Sequence, residues 1–373
     1  MQHNCSSIKC LAPWHSLQVR FNGDIAPDCV YVGKYGNILE TPLPEILKSD
    51  AVSQLKTSIQ QDVLPVQCVQ CTRKEETIGH SRRKFFNNVL TPLVHNSKCN
   101  YHQSSYDIRF LEINMSNVCN LKCRMCSGVS STAWIKDDIA LSKHSCLSRP
   151  VEHNNFGYQN ISLTVVDKLF EFPELFKNLQ YLNIKGGEPY LEPANKKILE
   201  KLINLNLAKN ITLDISTNGT VIDHEFDELA LQFKETKWHI SLEGTGKLYE
   251  YIRGGDNFSF EQFENNLQNF NKFSRVIFAG TIMTYNICHL ANIESWYEGI
   301  KQLNYELFLN NVVTTPAYLN PAILPESILK DTPISHKENT KELKNFILYT
   351  QELDKLRNTS IHQVCPELSS LFS

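Results

Sequence analysis

The stretch Cys119-Asn-Leu-Lys-Cys123-Arg-Met-Cys126 places three cysteines close together, at the spacing C-x3-C-x2-C. Cysteine thiolates are the usual protein ligands of four-iron clusters. Three thiolates would hold three irons and leave the fourth iron without a protein ligand, so that this iron could bind and reduce another molecule. A zinc knuckle or three unrelated buried cysteines would give the same pattern, and the spacing alone leaves both alternatives open.

Predicted strands and helices alternate along the chain around this stretch. Largely apolar runs predict strands at residues 108–115, 179–184, 211–215, 238–244, 276–283 and 307–313. The intervening segments predict helices at residues 165–176, 194–207, 224–234, 260–273 and 290–303. Such alternation predicts an α/β fold with a parallel sheet and right-handed crossovers, whose active site lies at the carboxyl ends of the strands.

Polar turns follow two of the predicted strands and end a third, where that rule places a site. They are Lys185-Gly-Gly-Glu-Pro189, Ser216-Thr-Asn-Gly219 and Ser241-Leu-Glu-Gly244. A glycine pair lets backbone polar groups approach a ligand closely, because no side chain intervenes. Each turn taken alone is also typical of an ordinary tight turn. Their shared position after the strands favours a common function.

The cysteine motif and these turns resemble those of radical S-adenosylmethionine (SAM) enzymes. In that family the open iron binds the amine and carboxylate of SAM, and reduction cleaves SAM to a 5′-deoxyadenosyl radical. The resemblance implies a partial (β/α)6 TIM barrel over residues 106–313 and cluster ligands at Cys119, Cys123 and Cys126. It implies SAM contacts at Met125, Gly186, Gly187, Glu188, Ser216, Asn218, Ser241, Glu243 and Arg253. The family often has an aromatic residue where this chain has Met125, and Arg253 could instead be an ordinary surface helix charge.

The first hundred residues contain a second group of cysteines. Asn22-Gly23 between two short apolar runs predicts a β-hairpin, with Cys10 and Cys29 at its two ends. A predicted helix at residues 44–58 precedes the pair Cys68 and Cys71. Four thiolates could bind either zinc or a second iron–sulfur cluster, and ligand type alone does not choose between them.

This N-terminal segment resembles the SPASM and twitch auxiliary-cluster domains of many radical SAM enzymes, although in those the domain usually follows the barrel. The resemblance implies a second [4Fe–4S] cluster on Cys10, Cys29, Cys68 and Cys71 within a small cysteine-rich α+β domain. We expect that domain at residues 1–91, a linker at 92–105 and a C-terminal extension at 314–373 containing a helix at 337–357. Cys5 and Cys99 have no place in this set. Cys365 could donate a hydrogen atom to a substrate radical or be a buried, idle thiol.

Composition limits the remaining possibilities. The net charge of -3 gives no sign of attraction to nucleic acid or membranes. The sequence has no apolar run long enough for a spanning helix and no apparent signal peptide. The sequence contains twelve cysteines, which in a protein that is not exported indicate metal binding or redox chemistry rather than disulfides. We therefore expect a cytoplasmic protein in a reducing environment. The histidines, His289 among them, show no metal-ligand spacing on one helix.

The resemblance implies a radical SAM enzyme, either an oxidoreductase or a peptide-modifying enzyme, that reductively cleaves SAM and abstracts hydrogen from a substrate. A peptide or protein side chain is modestly preferred as substrate, and a sugar or small metabolite is the alternative. An electron donor such as flavodoxin or ferredoxin would reduce the cluster. A zinc-stabilised binding protein, with both cysteine groups structural, is the alternative from a different class.

Overall fold

The computed structural model describes residues 8–94, 106–147, 159–254 and 258–372. They form two compact units, each built from several chain segments. Unit 1 contains the described residues up to 116 together with 159–215 and 224–236, and unit 2 contains the others. The domain boundaries at residues 91, 105 and 313 remain predictions. Cys5 and Cys99 lie outside the described residues.

The described residues contain nine strands. These are β1 Ser16–Arg20, β2 Asp24–Ala26, β3 Gly36–Asn37, β4 Phe110–Asn114, β5 Tyr181–Lys185, β6 Thr212–Thr217, β7 Glu235–Ser241, β8 Arg275–Ile282 and β9 Tyr305–Val312. The six strands predicted from the sequence are β4 to β9, each displaced by at most three residues at either end. The predicted hairpin is formed by β1 and β2, which pair antiparallel.

The described helices fall mostly between these strands. In the N-terminal segment they are α1 Ala12–His15, α2 Leu43–Ile46, α3 Asp50–Gln60, α4 Val69–Ile78 and α5 Arg82–Val94. After β4 they are α6 Ile135–Leu141, α7 Gln159–Leu169, α8 Pro193–Asn204, α9 His224–Ala230, α10 Gly246–Arg253, α11 Phe260–Leu267, α12 Leu290–Ile300, α13 Glu326–Leu329, α14 Thr340–Arg357 and α15 Ile361–Val364. This alternation confirms the α/β class and is consistent with a partial TIM barrel.

Unit 1 is built on the strand order β3-β2-β1-β4-β5-β6, in which β1, β4, β5 and β6 are parallel. One row of the register consists of fully buried leucines: Leu17, Leu111, Leu182 and Leu213. The next row is polar and consists of Gln18, Glu112, Asn183 and Asp214, hereafter the polar row. Because successive side chains point to opposite faces of a strand, the leucine row and the polar row lie on opposite faces of this sheet.

Unit 2 contains the parallel strands β7, β8 and β9 and a large apolar core. The C-terminal helix α14 buries Phe346, Tyr349 and Leu353 in that core, together with Trp134 and Tyr285. The amphipathic pattern of the sequence predicted this helix, which begins three residues later than expected and ends at Arg357. Within the described residues, no helix combines the length and apolarity that crossing a membrane requires.

Two predicted helices are each split in the structure. The helix expected at residues 44–58 is divided into α2 and α3, because Ser49 takes an extended conformation at the start of α3. The charged stretch at residues 72–86, for which the sequence predicts a helix, is divided between α4 and α5 at Gly79, whose φ of 70° ends α4 in a left-handed conformation. Glycine adopts that conformation without steric cost, so it often terminates helices.

Candidate functional site

The three cysteines of the motif lie in one loop of unit 2. The Cys126 N–H donates a hydrogen bond of 2.8 Å to the Cys123 carbonyl, and the two thiols are also hydrogen-bonded to each other. That thiol hydrogen bond lowers the pKa of Cys123 to about 7. Cys119 is near enough to influence the pKa of Cys126, and its sulfur accepts from the Leu121 N–H at 3.4 Å. The structure therefore brings the three predicted cluster ligands together.

The backbone of this loop is held by residues far away in the sequence. The Lys122 N–H donates to the Gly254 carbonyl at 2.8 Å, and the Arg124 N–H donates to the Ile252 carbonyl at 2.7 Å. The Cys123 carbonyl accepts from the Trp134 indole at 2.7 Å. Because its polar backbone groups are paired in this way, the loop has a defined shape before any cofactor binds.

Arg124 anchors the same loop, although it is not among the residues predicted from the sequence. Its side chain is fully buried, with the guanidinium carbon 3.6 Å from the centroid of the Tyr251 ring. Its Nη2 donates to Asp354 at 2.5 Å and to Thr359 at 2.9 Å, both in the C-terminal extension. Its position between two predicted cluster ligands was the feature of the sequence that could have drawn attention to it. A guanidinium in such a loop requires several hydrogen-bond partners if it is buried.

Arg253 and Glu243, two predicted SAM contacts, form a buried ion pair of 3.1 Å. Burial raises the pKa of Glu243, and the neighbouring Arg253 guanidinium partly opposes this shift. The Arg253 Nε is buried and has no hydrogen-bond partner among the described residues. A carboxylate would satisfy such a donor, so this arginine fits the role that the resemblance gives it.

Asn218 lies beside the cysteine loop. Its side-chain amide donates to Asn120 at 3.0 Å and lies 3.8 Å from the Cys119 sulfur. Ser241 donates to the Thr217 carbonyl at 3.3 Å. Ser216 is half-buried at the end of β6, and Met125 packs against the apolar core of unit 2. The structure places these residues as described, and their contacts with SAM remain predictions.

The Gly-Gly-Glu turn of unit 1 follows β5. Gly186 has a φ of 148°, and a Cβ at that position would lie 2.8 Å from the Ser116 carbonyl oxygen. That oxygen also accepts a hydrogen bond of 2.9 Å from the Gly187 N–H. Glu188 is almost completely buried and accepts from the Tyr190 N–H at 3.4 Å. The backbone itself therefore requires glycine at position 186, independently of any ligand.

The auxiliary cysteines of unit 1 do not all share the same surroundings. Cys10 is buried, and its pKa is raised by burial and by the nearby Asp28, Cys68 and Cys71. Cys29 instead shares a hydrogen bond with Glu112. Cys29 is exposed as a whole residue, but desolvation of its thiol by the surrounding protein, reinforced by the Glu112 charge, raises its pKa to about 11. Cys10, Cys68 and Cys71 thus lie together, while the thiol of Cys29 contacts a carboxylate.

Neither cysteine group has the spacing of a single metal ion. Tetrahedral zinc with bonds of about 2.3 Å holds its sulfur ligands roughly 3.8 Å apart. Across the described ranges, the only three or more His, Cys, Asp or Glu side chains with ligand atoms all within 4.8 Å of one another are His289, Cys365 and Glu367.

Comparison with known proteins gives two family matches. The radical SAM superfamily matches residues 113–295, and the SPASM iron–sulfur cluster-binding domain matches residues 10–72. The chain is similar to the crystal structure of Streptococcus suis SuiB, with 14% identity and a TM-score of 0.35, over 85% of this chain and 67% of that one. For SuiB bound to its precursor peptide SuiA, the identity is 15%, the TM-score 0.33 and the coverage 94% and 73%.

A third similar structure is TYW1 with a lysine-pyruvate adduct bound, with 16% identity and a TM-score of 0.29. It is matched over 65% of this chain and 70% of that chain. Among curated proteins no sequence matches this chain. The two family matches together contain all seven predicted cluster cysteines.

Proposed function

Because the chain belongs to the radical SAM superfamily and carries an N-terminal SPASM domain, we propose that it abstracts hydrogen from a peptide or protein side chain. Its cofactors are [4Fe–4S] clusters and SAM. Together these supply, when bound and reduced, a 5′-deoxyadenosyl radical that can take hydrogen from an unactivated C–H bond. The polar row of unit 1 is the observation that carries the peptide assignment.

The polar row is tied together by hydrogen bonds and charges. Gln18 donates to Glu112 at 3.3 Å, and the Asn183 amide donates to Asp214 at 2.9 Å. Glu112 is fully buried and pairs with Arg82 at 2.6 Å and with Lys185 at 2.9 Å. The Lys185 and Arg82 charges hold the pKa of Glu112 below its usual range despite burial, so that the carboxylate stays ionised.

Two buried polar atoms beside the polar row are available for further hydrogen bonds. The Asn183 Oδ1 and the Arg82 Nε are buried and find no hydrogen-bond partner in the part of the chain that the structure describes. One is an acceptor and the other a donor, which is the pair of groups that a peptide amide can satisfy. Buried polar groups without partners are costly, so a ligand that supplies partners would gain affinity there.

The charges of this face also favour a peptide. Glu112 and Asp214 are balanced by Arg82 and Lys185, so the four groups carry no net charge. A phosphorylated metabolite would require a binding surface with net positive charge. A peptide amide is neutral and polar, so it matches a surface whose charges cancel. A neutral sugar is compatible with the same balance, so the experiment must separate it from a peptide.

The other predicted residues have defined tasks in this proposal. Cys119, Cys123 and Cys126 hold the cluster that binds SAM, and Cys10, Cys29, Cys68 and Cys71 hold the second cluster. Arg253, whose buried Nε has no hydrogen-bond partner among the described residues, would bind the SAM carboxylate, and Ser216 and Asn218 would bind the ribose hydroxyls. The remaining contacts are at Met125, Gly186, Gly187, Glu188, Ser216, Ser241 and Glu243. A small electron-transfer protein such as flavodoxin or ferredoxin supplies the electron.

Transfer of deuterium tests the substrate class directly. Anaerobically reconstituted protein is incubated with SAM, reductant and either a digest of uniformly deuterated protein or a mixture of deuterated sugars. We expect deuterium in 5′-deoxyadenosine, detected by mass spectrometry, only with the peptide mixture. The Cys126→Ala variant is the control and should form no 5′-deoxyadenosine. Label that comes only from the sugars would overturn the peptide assignment and leave the family assignment intact.

A further inference from the structure

A second group of metal-ligating side chains lies in unit 2, apart from the cysteine motif in sequence. His289 stands immediately before α12, and Cys365 and Glu367 follow α15 near the C-terminal end. The His289 Nε2 lies 3.3 Å from a Glu367 carboxylate oxygen. The Cys365 sulfur lies 3.5 Å from the same oxygen. The ligand atoms of all three residues lie within 4.8 Å of one another.

We propose that His289, Cys365 and Glu367 bind a zinc ion. An imidazole, a thiolate and a carboxylate are the three ligand types that zinc takes in proteins. With bonds of about 2.0–2.3 Å, tetrahedral zinc requires its ligand atoms to lie roughly 3.3–3.8 Å apart. Both separations measured to the Glu367 oxygen already fall in this range, so small side-chain rotations would complete the site.

The burial of these groups supports a bound cation. Cys365 is fully buried, and His289 is mostly buried with its Nε2 facing the Glu367 carboxylate. Zinc binds the thiolate form of cysteine, so binding would release the Cys365 thiol proton.

A cavity of about 360 Å³ adjoins the group and gives the ion a route of entry. Glu367 and Cys288 both line this cavity, together with Ser327, Lys330 and Asp331. Glu367 is the most exposed of the three proposed ligands, with 46% of its side chain accessible. The cavity leaves space for a fourth ligand, either water or the Cys288 thiol, beside the three that the structure brings together.

The proposed ion would link the segment that follows α15 to the residue that precedes α12. Its ligands come from two segments separated by most of the C-terminal extension, so binding closes a long chain loop. This role does not depend on the substrate proposed above. The competing interpretation is a simple ion pair between His289 and Glu367 beside an idle thiol, which would bind no metal.

Metal analysis of the holoprotein separates these interpretations. The protein is produced in cells grown with added zinc, and both iron–sulfur clusters are filled. It is then desalted anaerobically and analysed for zinc and iron. We expect about one zinc per chain, lost in Cys365→Ser and in His289→Gln, with the iron content unchanged. Cys146→Ser is the control, because Cys146 is an exposed cysteine outside the group, and it should keep its zinc.

X-ray absorption at the zinc edge then identifies the ligands. One or two sulfur ligands at about 2.3 Å, with nitrogen and oxygen completing the shell, support the site. Absence of zinc, equal zinc in the parent and both variants, or zinc with three or four sulfur ligands would overturn it. If the variants fail to fold, the unmodified protein still tests the site. Its melting temperature should fall when a chelator removes zinc but leaves the iron content unchanged.

Discussion

The two cysteine groups differ in how the chain positions them. Cys119, Cys123 and Cys126 lie within one short loop, and distant residues bind the backbone of that loop at several points. Cys10, Cys29, Cys68 and Cys71 come from three separate segments, and Cys29 contacts Glu112. A hydrogen bond lowers the pKa of Cys123, whereas burial raises the pKa of Cys10. Local sequence therefore defines the first group, and tertiary structure defines the second.

If the first group alone supports SAM cleavage, its loss should have the largest effect. Cys126→Ala removes one of three thiolates, so the cluster should be lost and reductive cleavage of SAM should fall by at least about 100-fold. Chromatography of 5′-deoxyadenosine with dithionite as reductant measures this. Cys146→Ala, which replaces an exposed cysteine, should behave like the parent. Cleavage by Cys126→Ala at the parental rate would contradict the assignment.

The matching change in the second group sharpens the comparison. Cys71→Ala should lose about four of an expected eight irons per chain and yet retain a substantial part of SAM cleavage, because the SAM-binding cluster is intact. Iron analysis and the same 5′-deoxyadenosine assay measure both quantities on one sample. A loss of cleavage as deep as that of Cys126→Ala would show that the two groups do not act separately.

The anchoring of the first loop can be tested through Arg124. Arg124→Met keeps much of the side-chain volume but leaves Asp354 without its buried partner, so unfolding should become easier by about 3 kcal/mol. SAM cleavage should also fall, since the loop loses its anchor. Urea unfolding of the reconstituted protein measures the stability change.

Arg275 provides a matched control for that experiment. It pairs with Glu306 at the surface, where both side chains are more than one-third exposed. Arg275→Met should therefore cost less than about 1 kcal/mol. Equal losses for the two variants would mean that Arg124 has no special anchoring role.

The smallest expected effect belongs to the Gly-Gly-Glu turn of unit 1. Gly186→Ala places a Cβ 2.8 Å from the Ser116 oxygen, so the turn must shift and stability should fall by about 1–3 kcal/mol. Isothermal titration should show weaker SAM binding. Gly299→Ala is the control, because an added Cβ there meets open space and helix α12 favours alanine. Unchanged SAM affinity in Gly186→Ala would remove this turn from the proposed site.

Sequence patterns predicted the features that short segments determine. The six strands, the Asn22-Gly23 hairpin and the C-terminal helix all follow from local periodicity and turn chemistry. The breaks near Ser49 and Gly79 divided two predicted helices because the backbone conformation at these two residues overrode the apolar pattern. Arg124 was missed because its partners lie more than a hundred residues away.

The polar row could not have been found in the same way. It depends on which residues of four strands face one another, and register is a property of the assembled sheet. The contact between Cys29 and Glu112 likewise joins residues that no local spacing connects. Motif spacing therefore identifies candidate ligands, while their surroundings require the structure.

The parallel pairing of β1 with β4 has a consequence for engineering this enzyme. All five residues of β1 pair with β4, so the N-terminal segment supplies a structural strand as well as cysteines. Deleting it, or exchanging it for the auxiliary module of another enzyme, would strip β4 of its neighbour and expose an unprotected sheet edge. A functional chimera must therefore contain a replacement strand that pairs with β4 as well as the metal ligands. Without that strand, the exposed edge of β4 would promote aggregation.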